Sequence, residues 1–236
     1  MQQLLKELRA DLKKNADAAT RETFTRFFKE DIVCYGIKSA AMQRIAKQYW
    51  KKISLWDKKD IFHLCEELYK SDYCEEAFIV STWVPKLSDC FVRSDLTLFK
   101  KWINTYINNW AKCDGFCNHS MGDYIQKFEE DLAELKTWTR SKNRWLKRAA
   151  AVSLILPARR GKYLTDVFEI ADSLLLDQDD MVQKGYGWLL KEASRLHCRE
   201  VFDYVVKHKK TMPRTALRYA IELMPKDLKV VAMKRG

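Results

Sequence analysis

The period of its apolar residues limits the fold of this chain more than any other feature. Nearly every stretch repeats at i, i+3, i+4 and i+7, the interval of an amphipathic helix, and none shows the alternation of a half-buried strand. The repeat predicts helices near 2–14, 17–29, 39–51, 58–70, 73–86 and 95–112. Further helices are predicted near 121–139, 144–156, 163–175, 180–196, 199–209, 212–223 and 226–233. Breaks fall at short polar or Gly/Pro points, "YGIKS", "PKLSD", "PARRGK", "DQDD" and "TMPR". Only seven Gly and four Pro interrupt 236 residues. Loops this short make consecutive helices antiparallel neighbours. The expectation is an all-α chain forming one domain over residues 1–236, either an irregular bundle or an α-solenoid of helix pairs.

Composition narrows the function classes. Apolar residues make up 47% and aromatics 12%, which excludes a disordered chain. No apolar run approaches the roughly 18 residues of a membrane span. The opening "MQQLLKELRADLKKN" is a charged amphipathic helix and not a signal peptide. Seven scattered cysteines, an odd number, read as reduced thiols of a cytoplasmic protein. The formal charge of +11, from 43 basic and 32 acidic residues, points to a polyanionic partner. That charge is uneven along the chain. Lys136, Arg140, Lys142, Arg144, Lys147 and Arg148 follow one another with no acid between them, and nine basic residues face two acids from Lys207 onward. Acids gather at 57–76 and 169–180, which predicts a polarised surface.

Three positions violate the helical pattern and are candidates for chemistry. On a wheel through "INTYINNWAKCDGFCNH", Phe99, Trp102, Ile103, Tyr106, Ile107 and Trp110 share one side, and Asp114 lands among them. A carboxylate on an apolar stripe loses hydration unless it is paired or used. In "MVQKGYGWLLKEASRL", Val182, Gly185, Tyr186, Leu189 and Leu190 form the core arc, while Trp188 points away beside Lys184, Lys191 and Arg195. An exposed aromatic among cations suits contact with sugars or bases, and Gly185 and Gly187 on either side permit close approach. In "RWLKRAAAVSLIL", Arg148 falls on the face of Trp145, Ala149 and Val152. It either snorkels or pairs with an acid, or it holds a planar fork at a cleft edge, suited to phosphate.

Other chemistry finds less support. Cys113, Cys117 and His119 have metal-compatible spacing, but no second ligand pair completes a tetrahedral site, so buried thiols are expected. No GxGxxG, Walker loop or GxSxG is present, and the four histidines suggest no triad.

The set "CYGIKSAAMQRIAK", "NNWAKCDGFC", "NRWLKRAAAVSLI" and "VQKGYGWLLKEASR" resembles the AlkD-like DNA glycosylases of the DNA alkylation repair family, in order and spacing, from about residue 20 to 224. The resemblance implies a HEAT-like solenoid of antiparallel helix pairs with a concave basic surface. It implies excision of cationic alkylpurines such as 3-methyladenine and 7-methylguanine from double-stranded DNA, by a monomer, with no metal or cofactor. By position, Asp114 matches the catalytic carboxylate, Trp110 and Trp188 the two cleft tryptophans, and Arg148 the associated arginine. Lys38 and Phe27 match DNA-contacting positions, with Lys184, Lys191, Arg195, Arg144 and Lys147 as basic residues around the cleft. This chain departs from the pattern at Lys38, where glutamine is familiar, at Phe27, where tyrosine is, and at Lys191, where arginine is. The resemblance also implies cleavage with the base still stacked, by a grip on the backbone.

The implied chemistry accounts for a carboxylate in apolar company. When an N3- or N7-alkylated purine leaves, positive charge moves from base to deoxyribose. A carboxylate nearest the sugar then stabilises the transition state more than the ground state. Apolar surroundings oppose ionisation of a carboxylate, and a nearby cation such as Arg148 favours it. Two other readings remain: a HEAT-like array that binds nucleic acid without chemistry, and a helical scaffold for proteins.

Overall fold

The structure, a computed structural model, describes residues 1–234. Arg235, the last cation of the basic C-terminal stretch, lies outside the described residues. The first half of the chain forms α1 (Gln2–Lys14), α2 (Ala18–Thr25), α3 (Ser39–Ile53), α4 (Lys58–Tyr69), α5 (Cys74–Trp83), α6 (Asp95–Tyr106) and α7 (Trp110–Phe116). The second half forms α8 (Gly122–Lys127), α9 (Leu132–Thr137), α10 (Arg144–Val152), α11 (Ile155–Arg159), α12 (Leu164–Leu174), α13 (Asp180–Ala193), α14 (Cys198–His208), α15 (Arg214–Ala220) and α16 (Lys226–Met233). No strand occurs among the described residues; Val33 and Tyr73 form an isolated parallel bridge. The all-α expectation is met. No described helix is long and apolar enough to cross a membrane.

Several boundaries differ from the periodic reading, each for a local reason. The helix expected over 95–112 breaks at Ile107–Asn109, because Asn109 adopts an extended conformation and its side chain accepts from Lys112 N at 3.0 Å. An asparagine that can cap a new helix stops the old one from continuing. The helix expected over 121–139 is four short pieces, entered through a π-helical turn at Cys117–Met121 and interrupted by 3-10 turns at 129–131 and 138–140. The helix expected over 73–86 passes at Val84 into a 3-10 turn that carries Pro85, which has no N–H to continue the α ladder. Helix α2 stops at Thr25, four residues short of its expected end.

Packing runs in rows. Helix α1 packs on α3, α3 on α5, α5 on α7, α7 on α10, α10 on α13 and α13 on α15. A second set of contacts joins α4 to α6, α9 to α12, and α14 to α16. One connected core of buried side chains extends from Leu5 to Ala232 between these elements.

The joint between α13 and α15 depends on one missing methyl group. A Cβ on Gly187 would stand 2.8 Å from the Ala216 carbonyl oxygen and 2.8 Å from Tyr219 Cβ. Backbone cannot yield as a flexible side chain does, so Gly187→Ala is expected to cost about 1–3 kcal/mol as overpacking. Urea unfolding should show a lower midpoint with an unchanged slope; an unaltered midpoint would mean that α15 shifts freely.

Candidate active site

Three successive members of the first row carry the site. Each begins with an Asn or Asp whose side chain caps it: Asn109 for α7, Asn143 accepting from Trp145 N at 2.9 Å for α10, and Asp179 accepting from Met181 N at 2.8 Å for α13. Capping fixes the angle at which the first turn leaves the loop and satisfies its free N–H groups. The caps therefore set where the side chains of these helices point.

The break before α7 changes how Asp114 is placed. Phe99, Trp102 and Ile103 of α6 are buried. Asp114 is not on their stripe, because it belongs to a separate helix on which Trp110 stands one turn earlier. Trp110 is half-buried, and the Asp114 side chain keeps 15% exposure. The carboxylate thus sits at the rim of the core and not inside it. A wide π turn follows immediately, a feature often found at functional sites.

Arg148 reaches this carboxylate from α10. Its Nε donates to Asp114 Oδ1 at 2.8 Å and its Nη2 to Oδ2 at 2.8 Å, a bidentate pair, while Nη1 donates to the Met181 carbonyl of α13. Arg148 is 5% exposed. Burial opposes its charge, but the hydrogen bonds and charge of Asp114 outweigh burial and hold its pKa above the ordinary arginine value. Both ends of the fork are engaged within the protein, so the phosphate-binding reading of Arg148 is corrected: the guanidinium orients Asp114.

Trp188 stands on the α13 stripe Met181, Gly185, Trp188, Glu192, spaced i, i+4, i+7, i+11, whose first two members meet Arg148 of α10. It is half-buried and packs partly on the core, so the exposed orientation expected from the wheel is also corrected. Its indole Nε1 donates to Glu192 Oε1 at 3.3 Å. Glu192 is buried, and its other oxygen accepts from Arg159 at 2.7 Å and Arg195 at 2.6 Å. The neighbouring glycines serve the protein and not a ligand: a Cβ on Gly185 would lie 3.2 Å from Arg148 Cγ, and Gly187 admits α15.

The cations expected to surround the cleft are mostly paired. Lys184 lies 3.3 Å from Asp180, Lys191 2.7 Å from Glu222, and Arg195 is bound to Glu192. Arg144 meets Asp179 at 2.7 Å and Glu30 at 3.4 Å, and Lys147 pairs with Asp177. Lys136 pairs with Asp166 and Glu169. Three cations of the basic stretch 136–148, Lys136, Arg144 and Lys147, are thus paired with acids between 166 and 180. Lys38, Arg21 and Lys47 are exposed and, among the described residues, form no ion pair.

Several residues of this region escaped the sequence reading. Phe28 stacks on Trp110, with ring centroids 5.2 Å apart and planes inclined by 19°. Lys29 pairs with Asp180 at 2.7 Å, and Glu30 meets Arg144, so the segment after α2 crosses to the starts of α10 and α13. The two ion pairs span more than a hundred residues of sequence, and no periodicity could reveal them. Phe27 beside Phe28 is 69% exposed. Cys113 and Cys117 are buried, as expected for inert thiols; burial, then Cys117, push the Cys113 thiol up. His119 is exposed.

Comparison with known proteins follows this geometry. No curated protein matches the sequence significantly. A predicted DNA alkylation repair enzyme from Enterococcus faecalis superposes with a TM-score of 0.80 at 16% identity, covering 90% of this chain and 98% of that one. The Pseudomonas fluorescens alkylpurine DNA glycosylase AlkC, bound to DNA containing an abasic site analog, superposes with a TM-score of 0.53 at 17% identity. That match covers 98% of this chain and 64% of AlkC. At such identities the structures share the fold. The family model for DNA alkylation repair enzymes matches residues 8–224, and the chain belongs to that family.

Proposed function

We propose that the chain is an AlkD-like DNA glycosylase that hydrolyses the N-glycosidic bond of cationic alkylpurines in double-stranded DNA. The observation that carries this reading is a carboxylate at the rim of the core, aimed by a buried arginine, with Trp110 one turn before it on α7 and Trp188 on α13 one turn after Gly185, which packs on that arginine. The row of contacts from α1 to α15 supports a HEAT-like solenoid whose inner helices present these groups on one face. The related AlkC, described as an alkylpurine DNA glycosylase, supports the reaction class.

Magnitudes favour this substrate class. At about 4 Å and an effective dielectric near 20, the carboxylate attracts a sugar cation by roughly 4 kcal/mol, and the guanidinium behind it offsets about half. Tryptophan faces add about 0.5–2 kcal/mol each as cation–π stabilisation. A few kcal/mol suffices for a leaving group that is already cationic. A neutral base generally needs a general acid, and the proposed mechanism uses none.

The expected result is release of 7-methylguanine and 3-methyladenine from matched duplexes under single-turnover conditions, with little release of hypoxanthine or uracil at neutral pH. Comparable rates on neutral and cationic bases would reveal a proton donor and overturn the mechanism. Tight duplex binding without release of any base would favour a non-catalytic nucleic-acid-binding array.

A further inference from the structure

The two tryptophans of the proposed site are oriented by different means. Trp188 is fixed by the hydrogen bond from its Nε1 to the buried Glu192 carboxylate. The Trp110 indole donates to no group among the described residues, and its ring lies instead against Phe28, centroids 5.2 Å apart and planes inclined by 19°. Trp110 is the first residue of α7, so no preceding helical turn confines its side chain. The stack therefore has a task that the backbone leaves open.

Phe28 is held well enough to perform it. Phe24 meets it edge-on at 5.0 Å, and its backbone N–H donates to the Thr25 carbonyl at 3.1 Å. The next two residues are anchored to the starts of α13 and α10, Lys29 on Asp180 at 2.7 Å and Glu30 on Arg144 at 3.4 Å. Orientation matters because an indole is negative over its face and positive round its edge. It attracts a cation that lies over the face and repels one at the edge, so a ring free to turn loses much of the attraction. We propose that Phe28 is a positioning residue of the reaction. It backs one face of Trp110 and turns the other toward the deoxyribose on which positive charge develops, while touching neither sugar nor base itself. The proposal rests on the glycosylase reading and adds to it a residue that acts through another.

The test follows release of 7-methylguanine under single-turnover conditions, with the full chain at saturating concentration. Phe28→Ala should slow release by about five- to tenfold, within the worth of one cation–π contact. Phe28→Tyr keeps the ring and should stay within about twofold of the unmodified protein. A binding assay isolates the response to charge, using duplexes with a pyrrolidine abasic analogue, cationic at neutral pH, or its neutral tetrahydrofuran counterpart. The unmodified protein should prefer the cationic duplex. Phe28→Ala should lose several-fold of that preference, with affinity for the neutral duplex within about twofold. In a Trp110→Leu background the effect of Phe28→Ala on the rate should vanish, since nothing is left to orient. Full rate and full preference in Phe28→Ala overturn the assignment. An equal loss in both backgrounds, or on both duplexes, also overturns it, because that is the mark of a merely structural role. If the unmodified protein releases 7-methylguanine while either result is found, the role of Phe28 alone is wrong. If it releases no alkylated base, the glycosylase reading falls and the proposal falls with it.

Discussion

Asp114→Asn is expected to slow release of 7-methylguanine by about ten- to a hundredfold, while affinity for an undamaged duplex stays within about twofold. The range follows from the site. The carboxylate contributes roughly 2 kcal/mol of net attraction to the sugar cation after the offset from Arg148, and about 1.4 kcal/mol corresponds to a factor of ten. Any role in positioning the attacking water adds to this. The amide keeps the shape of the side chain and one oxygen for Arg148, so the loss reports charge. Single-turnover assays at saturating enzyme are the measurement, since they exclude product release. Full activity in this variant would remove Asp114 from the mechanism.

The second large effect concerns Arg148 and is expected in stability. Arg148→Met fills similar space but deprives Asp114 of both hydrogen bonds and leaves the Met181 carbonyl without its donor. Breaking one side of a buried pair is costly, while removing both charges is often close to neutral. Because Asp114 keeps some access to water, the cost should fall near the lower end, about 2–3 kcal/mol, or a Tm lowered by roughly 5–10 °C for a chain of this size. The double variant Asp114→Asn/Arg148→Met should recover more than half of that loss. A thermal-unfolding cycle over the four proteins checks it. Additive effects would show that the pair is not coupled, and the account of Arg148 as the residue that orients Asp114 would fail.

Much of this protein was legible without coordinates, and the reason is local. Helix period is a property of neighbouring residues, so the all-α class and the ends of α1 and α16 follow directly from the order of apolar residues. Asp114, Arg148 and Trp188 were noticeable because each conflicts with its own surroundings in sequence, whereas Trp110 fits its apolar stripe and was singled out only by the resemblance. Such conflicts are where function or pairing is expected.

What folding alone decided are contacts between distant segments and the caps that orient them. The wheel carried Asp114 onto the stripe of α6, because periodicity does not register that Asn109 begins a new helix. Lys136, Arg144 and Lys147 looked free in sequence, yet the acids that pair with them arrive from 166–180 only when α9, α10 and α12 pack near the start of α13. Phe28 reaches Trp110 through packing between segments about eighty residues apart. A sequence pattern states which face of a helix is apolar; which other face it meets depends on helix angles set by caps, glycine contacts and breaks. Those angles placed the carboxylate beside its arginine, and they are a property of the assembled row.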